Sequence, residues 1–347
     1  MADYSQYAAP SEDWVRVTKE LFLPPPPPLT TLQQRRNFRK INNEGRVRAS
    51  ENALAVSGAA GITIATTTIT TRDFQEIGAR SYLPQHGCGG NTLLYFHGGG
   101  FFSGSLATED AFCINLARNC GVAVVSVNYR HTPEWPYPTA FEDAWDARCR
   151  ILHSPLAFGI PSLNKLLVAG ISSGACLAAS IVVQERKSLK PTKTTLQLNE
   201  NKISGQALWT PWLCHPDTFP IGQIISPEKA SPVQCKDAPL LPQALALEYA
   251  NMLQMDESQK SDSVANPLLS ESGILKSAPP THILVAGQDP LRDHGLLFQK
   301  RLAEAGIPTT STVYPGLPHG FVRIAGLEAN SRWNEDIEEG VRWLLKQ

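Results

Sequence analysis

Gly170-Ile171-Ser172-Ser173-Gly174, directly after the apolar run Leu166-Leu167-Val168-Ala169, constrains what this chain can fold into more than any other segment. The run predicts a buried strand, and the spacing G-x-S-x-G is that of a nucleophile elbow. In such a turn the strand ends, only small residues fit beside the bend, and a helix begins. Ala175, Leu177, Ala178, Ala179, Ile181 and Val182 give that helix an apolar, core-facing character. The bend lifts the Ser172 hydroxyl clear of the backbone, and the helix N-terminus supplies N–H groups and a dipole that favour negative charge. Taken alone, the pentapeptide is equally compatible with a plain strand–helix turn.

Two further segments decide between these readings. Leu93-Leu94-Tyr95-Phe96-His97-Gly98-Gly99-Gly100-Phe101-Phe102 runs a strand into three glycines. Glycines let backbone amides approach a ligand without side-chain obstruction. Gly98, Gly99 and Gly100, with the amide after the serine (Ser173), are the expected oxyanion hole of an acyl-transfer site. Which two of the three glycines point inward is left open by the sequence. Ile283-Leu284-Val285-Ala286-Gly287 predicts another strand, followed by Asp289 and Asp293; Thr312-Val313-Tyr314 predicts a third, followed by His319. Both loops lie beyond strand C-termini, where open α/β sheets gather their sites. The chain therefore offers Ser172, Asp289 and His319 as nucleophile, acid and base. Asp293 is a reserve acid expected to pair with Arg292, His97 a brace for the glycine loop, and Ser173 a weaker rival nucleophile.

These segments, together with Asn128-Tyr129-Arg130-His131-Thr132-Pro133-Glu134, Tyr137-Pro138-Thr139-Ala140-Phe141-Glu142-Asp143-Ala144, Asp289-Pro290-Leu291-Arg292-Asp293 and His319-Gly320-Phe321, resemble the hormone-sensitive-lipase-like group of α/β-hydrolases, the fungal and bacterial esterases with an H-G-G-G motif. The likeness runs from about residue 90 to the C-terminus and weakens between about 186 and 265. Ile171 and Ser173 depart from that group's usual G-D-S-A-G elbow. The resemblance implies an α/β-hydrolase fold, with a mostly parallel central sheet, helices on both faces and a helical cap. Residues 1–60 would form a cap or arm, residues 61–347 the catalytic domain, and about 211–265 a cap insertion. It implies a carboxylesterase acting through an acyl-enzyme on small to medium uncharged esters, acetates or lactones, without cofactor or metal. The same apparatus could serve a thioesterase, acyl transferase or condensation enzyme of secondary metabolism with a carrier-bound substrate, or a hormone receptor that has lost catalysis. Retention of all three triad residue types argues against the receptor.

Composition agrees with a large α/β core: 42% of the 347 residues are hydrophobic. A formal net charge of −1 gives no basis for a nucleic-acid or anionic-membrane partner. No apolar run approaches the roughly 20 residues of a membrane span. The first residues lack the basic-then-apolar order of a secretory signal. Seven scattered cysteines without a C-x-x-C pair suit reduced thiols in a cytoplasmic setting, and Cys176 reads as helix packing.

Strands are predicted at 62–70, 92–96, 122–127, 166–170, 204–209, 282–287 and 310–314. Helices are predicted after Ser11, around 107–120, 138–153, 174–186, 244–253, 292–305 and 331–346. This alternation predicts a parallel sheet with crossover helices. Pro24–Pro28 reads first as a stiff connector and second as a polyproline ligand. Arg35, Arg36, Arg39 and Lys40 read as a solvated helix face. Phe101, Phe102, Trp209, Trp212 and Phe321 are candidates for an apolar substrate pocket, each with core packing as the alternative.

Overall fold

The computed structural model describes residues 1–188 and 203–347. Its N-terminal segment holds α1 (Glu12–Thr18) and α2 (Leu32–Ser57). The central stretch follows as β1 (Ile62–Thr70), β2 (Glu76–Pro84), β3 (Asn91–Phe96), α3 (Asp110–Cys120), β4 (Ala123–Asn128), α4 (Thr139–His153), β5 (Lys165–Ile171), α5 (Ser173–Ser188) and β6 (Ile203–Trp209). Short helices α6 (Ser231–Gln234), α7 (Gln243–Met252), α8 (Glu257–Ser261) and α9 (Ser272–Leu275) fill the region before β7 (Thr281–Gln288). The chain closes with α10 (Arg292–Glu304), β8 (Thr309–Pro318) and α11 (Ala329–Lys346).

Among the described residues, eight strands form one sheet in the order β1-β2-β4-β3-β5-β6-β7-β8. The β1–β2 and β2–β4 pairs are antiparallel and every other pair is parallel. The seven expected strands are present, and β2 is an eighth that the sequence pattern did not announce. The central strands read as continuous apolar runs because helices cover both faces; Leu93 to Phe96 and Leu166 to Ala169 are all at most 2% exposed. Two apolar clusters lie on the sheet. One gathers Phe101, Phe102, Phe141, Trp212 and Tyr249 among residues of α4, α5, α7 and α10. The other gathers Trp209, Phe321, Trp333, Ile337, Val341 and Leu344 with residues of α3 and α1.

The N-terminal segment is tied into the molecule by specific bonds. Ala2 pairs with the 221–225 region, donating to Gln223 O and accepting from Ile225 N, each at 2.8 Å. Ser11 caps α1 by accepting from Trp14 N. The five prolines carry no helix or strand and join α1 to α2. The expectation that the four cations of α2 form a solvated face needs correction. Arg36 and Lys40 are exposed, but Arg39 donates to Thr132 O and Glu134 and lies 4.6 Å over the ring of Phe102, while Arg35 donates to Leu29 O. Among the described residues no helix is long and apolar enough to cross a membrane.

Candidate active site

The elbow is built as its glycines require. A Cβ on Gly174 would overlap Phe96 O, and one on Gly170 would overlap the Gly174 backbone, so the strand–helix crossing closes only with hydrogen at both positions. Ser172 is held at φ 56°, a left-handed conformation that costs about 1–2 kcal/mol for a residue with a Cβ. The surroundings enforce it: Ser172 N donates to Trp209 O at 2.9 Å, while Ser172 O accepts from Ala175 N, Cys176 N and Trp212 N.

Three strand ends then converge. His319, just past β8, places Nε2 3.0 Å from Ser172 Oγ and Nδ1 2.7 Å from Asp289 Oδ2. Asp289 follows β7 directly and is 1% exposed; its Oδ1 accepts from Leu291 N at 2.8 Å. A carboxylate can only accept, so Nδ1 carries the imidazole proton and Nε2 presents a lone pair to the serine hydroxyl. Ser172 is 6% exposed, so its nucleophilic oxygen is held largely out of bulk water.

The glycine loop faces this relay. Among the described residues no backbone acceptor is paired with the amides of Gly98, Gly99, Gly100 or Ser173, which leaves those donors available. Gly99 and Gly100 hold φ 140° and 65°. Gly98 O accepts from Arg46 at 3.1 Å, and Gly99 O from Phe102 N and Ser103 N. His97 braces the loop: it is fully buried, its Nδ1 stands 3.1 Å from Gly98 O, and it stacks on Tyr129, whose hydroxyl donates to His97 O at 2.8 Å. Burial pushes its pKa down to about 3, so it is a neutral strut.

Asp293 is fully buried in α10, bonded at 2.7 Å to Arg292 and accepting from Ser231 N, away from His319. Cys176 is buried against Ala265 O, and burial pushes its thiol pKa up. The five pocket candidates do not share one surface. Trp209 packs against Tyr95 and Phe112, and Phe321 against Tyr314 and Trp333, both within the cluster on one face. Phe101, Phe102 and Trp212 lie in the other, where Phe102 stacks on Tyr249 of α7 and on Phe38 of α2. Trp209 points away because alternate residues of a strand serve opposite sheet faces, and Phe321, in the short turn after β8, packs on Trp333 of α11.

Sequence reasoning missed the contribution of α2. Asn42 donates to Ser103 Oγ, Asn43 accepts from Gly104 N at 2.8 Å, and Arg46 grips both Gly98 O and Glu109. The signal was there as a polar stripe at helical spacing (Arg39, Asn42, Asn43, Arg46, Ser50), which a search for apolar periodicity passes over.

A family model described as alpha/beta hydrolase fold matches residues 93–323. Ethyl acetate hydrolase of Pseudomonas putida is 29% identical over 305 residues, covering 86% of this chain and 87% of the relative. Esterase LipI of Mycobacterium tuberculosis is 34% identical over 235 residues, covering 68% and 67% respectively. Among solved structures, vibralactone cyclase superposes with a TM-score of 0.83 at 25% identity, over 98% of this chain and 96% of that one.

Proposed function

The chain belongs to the α/β-hydrolase-fold family and is a carboxylesterase; from that premise we propose that Ser172, His319 and Asp289 are its catalytic triad and that small to medium carboxylic esters are its substrates. The observation that carries the assignment is the contiguous Ser172–His319–Asp289 relay. His319 Nε2 takes the hydroxyl proton as Ser172 Oγ attacks the acyl carbon, and Asp289 stabilises the imidazolium. The oxyanion accepts hydrogen bonds from Ser173 N and the glycine-loop amides. His319 then returns the proton to the leaving alkoxide, and the C–O bond breaks. A water molecule, deprotonated by the same nitrogen, attacks the acyl carbon and releases Ser172. Phe101, Phe102 and Trp212, with Tyr249, are proposed walls of the pocket. Residues 1–60 and about 211–265 are the proposed cap, since α2 and α7 both reach Phe102.

Ser172→Ala should lose at least about 10³-fold in kcat/KM on 4-nitrophenyl esters while the protein stays folded. Near-normal turnover in that variant would reject the triad. A second reading has the substrate's own nucleophile, rather than water, resolve the acyl-enzyme. The likeness to vibralactone cyclase and the low exposure of Ser172 favour it. Mass spectrometry of products formed in ¹⁸O water separates the two readings, since only hydrolysis places the label in a released acid.

A further inference from the structure

Leu23 through Pro27 each precede a proline. A proline ring fixes its own φ near −65°, and its Cδ drives the residue before it to an extended ψ. Sterics alone therefore make Pro24–Pro28 a polyproline II helix, which has three residues per turn and three edges.

The burial of the segment has that period. Leu23 and Pro26 are half-buried and Leu29 is 0% exposed, whereas Leu21, Phe22, Pro24, Pro25, Pro27 and Pro28 are all exposed. One edge, Leu23-Pro26-Leu29, thus lies against the protein. The other two, Leu21-Pro24-Pro27 and Phe22-Pro25-Pro28, face solvent, and Phe22 is 88% exposed. Both ends are fixed. Leu23 packs on the cluster that holds Trp14, Leu29 belongs to the cluster that holds Phe102, and Leu29 O accepts from Arg35 Nε at 2.6 Å. Thr31 then caps α2. Among the described residues no backbone N–H pairs with the carbonyls of Pro24 to Pro28.

A plain connector needs only the inward edge. The two outward edges place four proline rings, a leucine and a phenylalanine side by side in water, a contiguous apolar surface of the kind that marks an interaction site. What covers it follows from its shape. Grooves lined by aromatic side chains take two edges of a polyproline helix, and because the helix is already formed, little ordering entropy is lost on docking. Charge selects among such grooves. No residue from Leu21 to Gln34 is charged, and Arg35 is turned back onto Leu29 O. A groove with an acidic specificity pocket would find no cation here and would leave its carboxylates unpaired.

We propose that Leu21–Pro28 is a docking segment for a partner protein with an uncharged, aromatic-lined polyproline-binding groove. The triad assignment plays no part in this. The test titrates the full chain, by isothermal calorimetry, with profilin and with an EVH1 domain, whose grooves are aromatic and uncharged, and with an SH3 domain that has an acidic pocket. At least one of the first two should bind, and more tightly than the SH3 domain. Pro25→Ala combined with Pro28→Ala should weaken that binding about tenfold or more, because two rings leave the groove. Pro26→Ala should change it by less than about threefold, since its ring faces the enzyme and a residue before proline stays extended.

No heat with either uncharged groove at up to about 1 mM overturns the proposal. So does a loss at Pro26 equal to that of the outward pair, because the segment would then not be read by its exposed edges. Tighter binding by the SH3 domain overturns the choice of an uncharged groove. The titrations of the unmodified protein decide the matter should a variant fail to fold.

Discussion

Gly100 shows how little freedom the candidate oxyanion loop has. Its φ of 65° disfavours any residue with a Cβ, and a Cβ built there would overlap the Tyr249 ring. Gly100→Ala should therefore shift either the loop or α7, and kcat should fall about 10²-fold, the scale of losing one oxyanion donor. The overlap and the φ preference are separable. Adding Tyr249→Ala removes the overlap only, so the double variant should recover part of the loss, with a coupling of about 1 kcal/mol or more in a double-mutant cycle. Strictly additive losses would mean that α7 does not press on the loop. At this scale the sequence was most readable where a residue type has one physical use. Glycines flanking a serine after a strand imply backbone crowding, and Gly170 and Gly174 are crowded in that way.

Helix α2 makes the same point for elements. It spans 26 residues with few apolar ones, and its inward stripe bonds rather than packs: Asn42, Asn43, Arg46 and Ser50 reach Ser103, Gly104, Gly98, Glu109 and Ala111. Arg46 thus acts on the candidate oxyanion loop through Gly98 and is a positioning residue. Arg46→Ala would leave the largely buried Glu109 with the Tyr95 hydroxyl but no cation, and losing one member of a buried pair costs up to about 3–5 kcal/mol. Adding Glu109→Gln should restore much of that stability, read as a denaturation midpoint. It should leave kcat depressed, because Gly98 O then keeps only His97 Nδ1 of its two side-chain partners. Recovery of kcat together with stability would show that Arg46 serves folding alone. Strand β2 was invisible for a related reason. Glu76-Ile77-Gly78-Ala79-Arg80 mixes a glycine and charges into the run, and what makes it a strand is pairing on both sides, Ala79 standing opposite Thr67 and Val127. Pairing between distant segments leaves no local pattern. The strands flanked by helices, by contrast, carry their burial in their own composition.

Taken whole, the molecule hangs its candidate triad on the ends of β5, β7 and β8, and α2 from before the sheet and α7 from between β6 and β7 both stack on Phe102 after the glycine loop. The order Ser172, Asp289, His319 was legible because each follows a segment that reads as a strand, whereas the division of the aromatics between two sheet faces was not, since face assignment depends on register. The same double burial has a cost in acid. His97, His282 and His294 are at most 4% exposed, and burial pushes their pKa values down to about 3, about 4 and about 4. Unfolded, each returns to an ordinary value near 6.5. Between pH 6.5 and 4 the unfolded chain therefore binds protons that the folded chain refuses, and stability must fall as pH falls. The contribution is complete above pH 6.5 and is lost toward the folded values. From pH 7 to 5 each histidine can remove up to about 2 kcal/mol, so the three together remove up to about 6 kcal/mol. Carboxylates held low by arginine, such as Asp73 at about 2 beside Arg130, add to the loss only below about pH 4. Urea midpoints at pH 7, 6 and 5 would trace this slope. His282→Gln, at a site bonded to Thr310 on β8, should flatten it by about one proton whatever it does to stability at pH 7. A midpoint that does not move between pH 7 and 5 would mean that the folded protein protonates these histidines as readily as the unfolded chain does, and that their burial is not the constraint argued here.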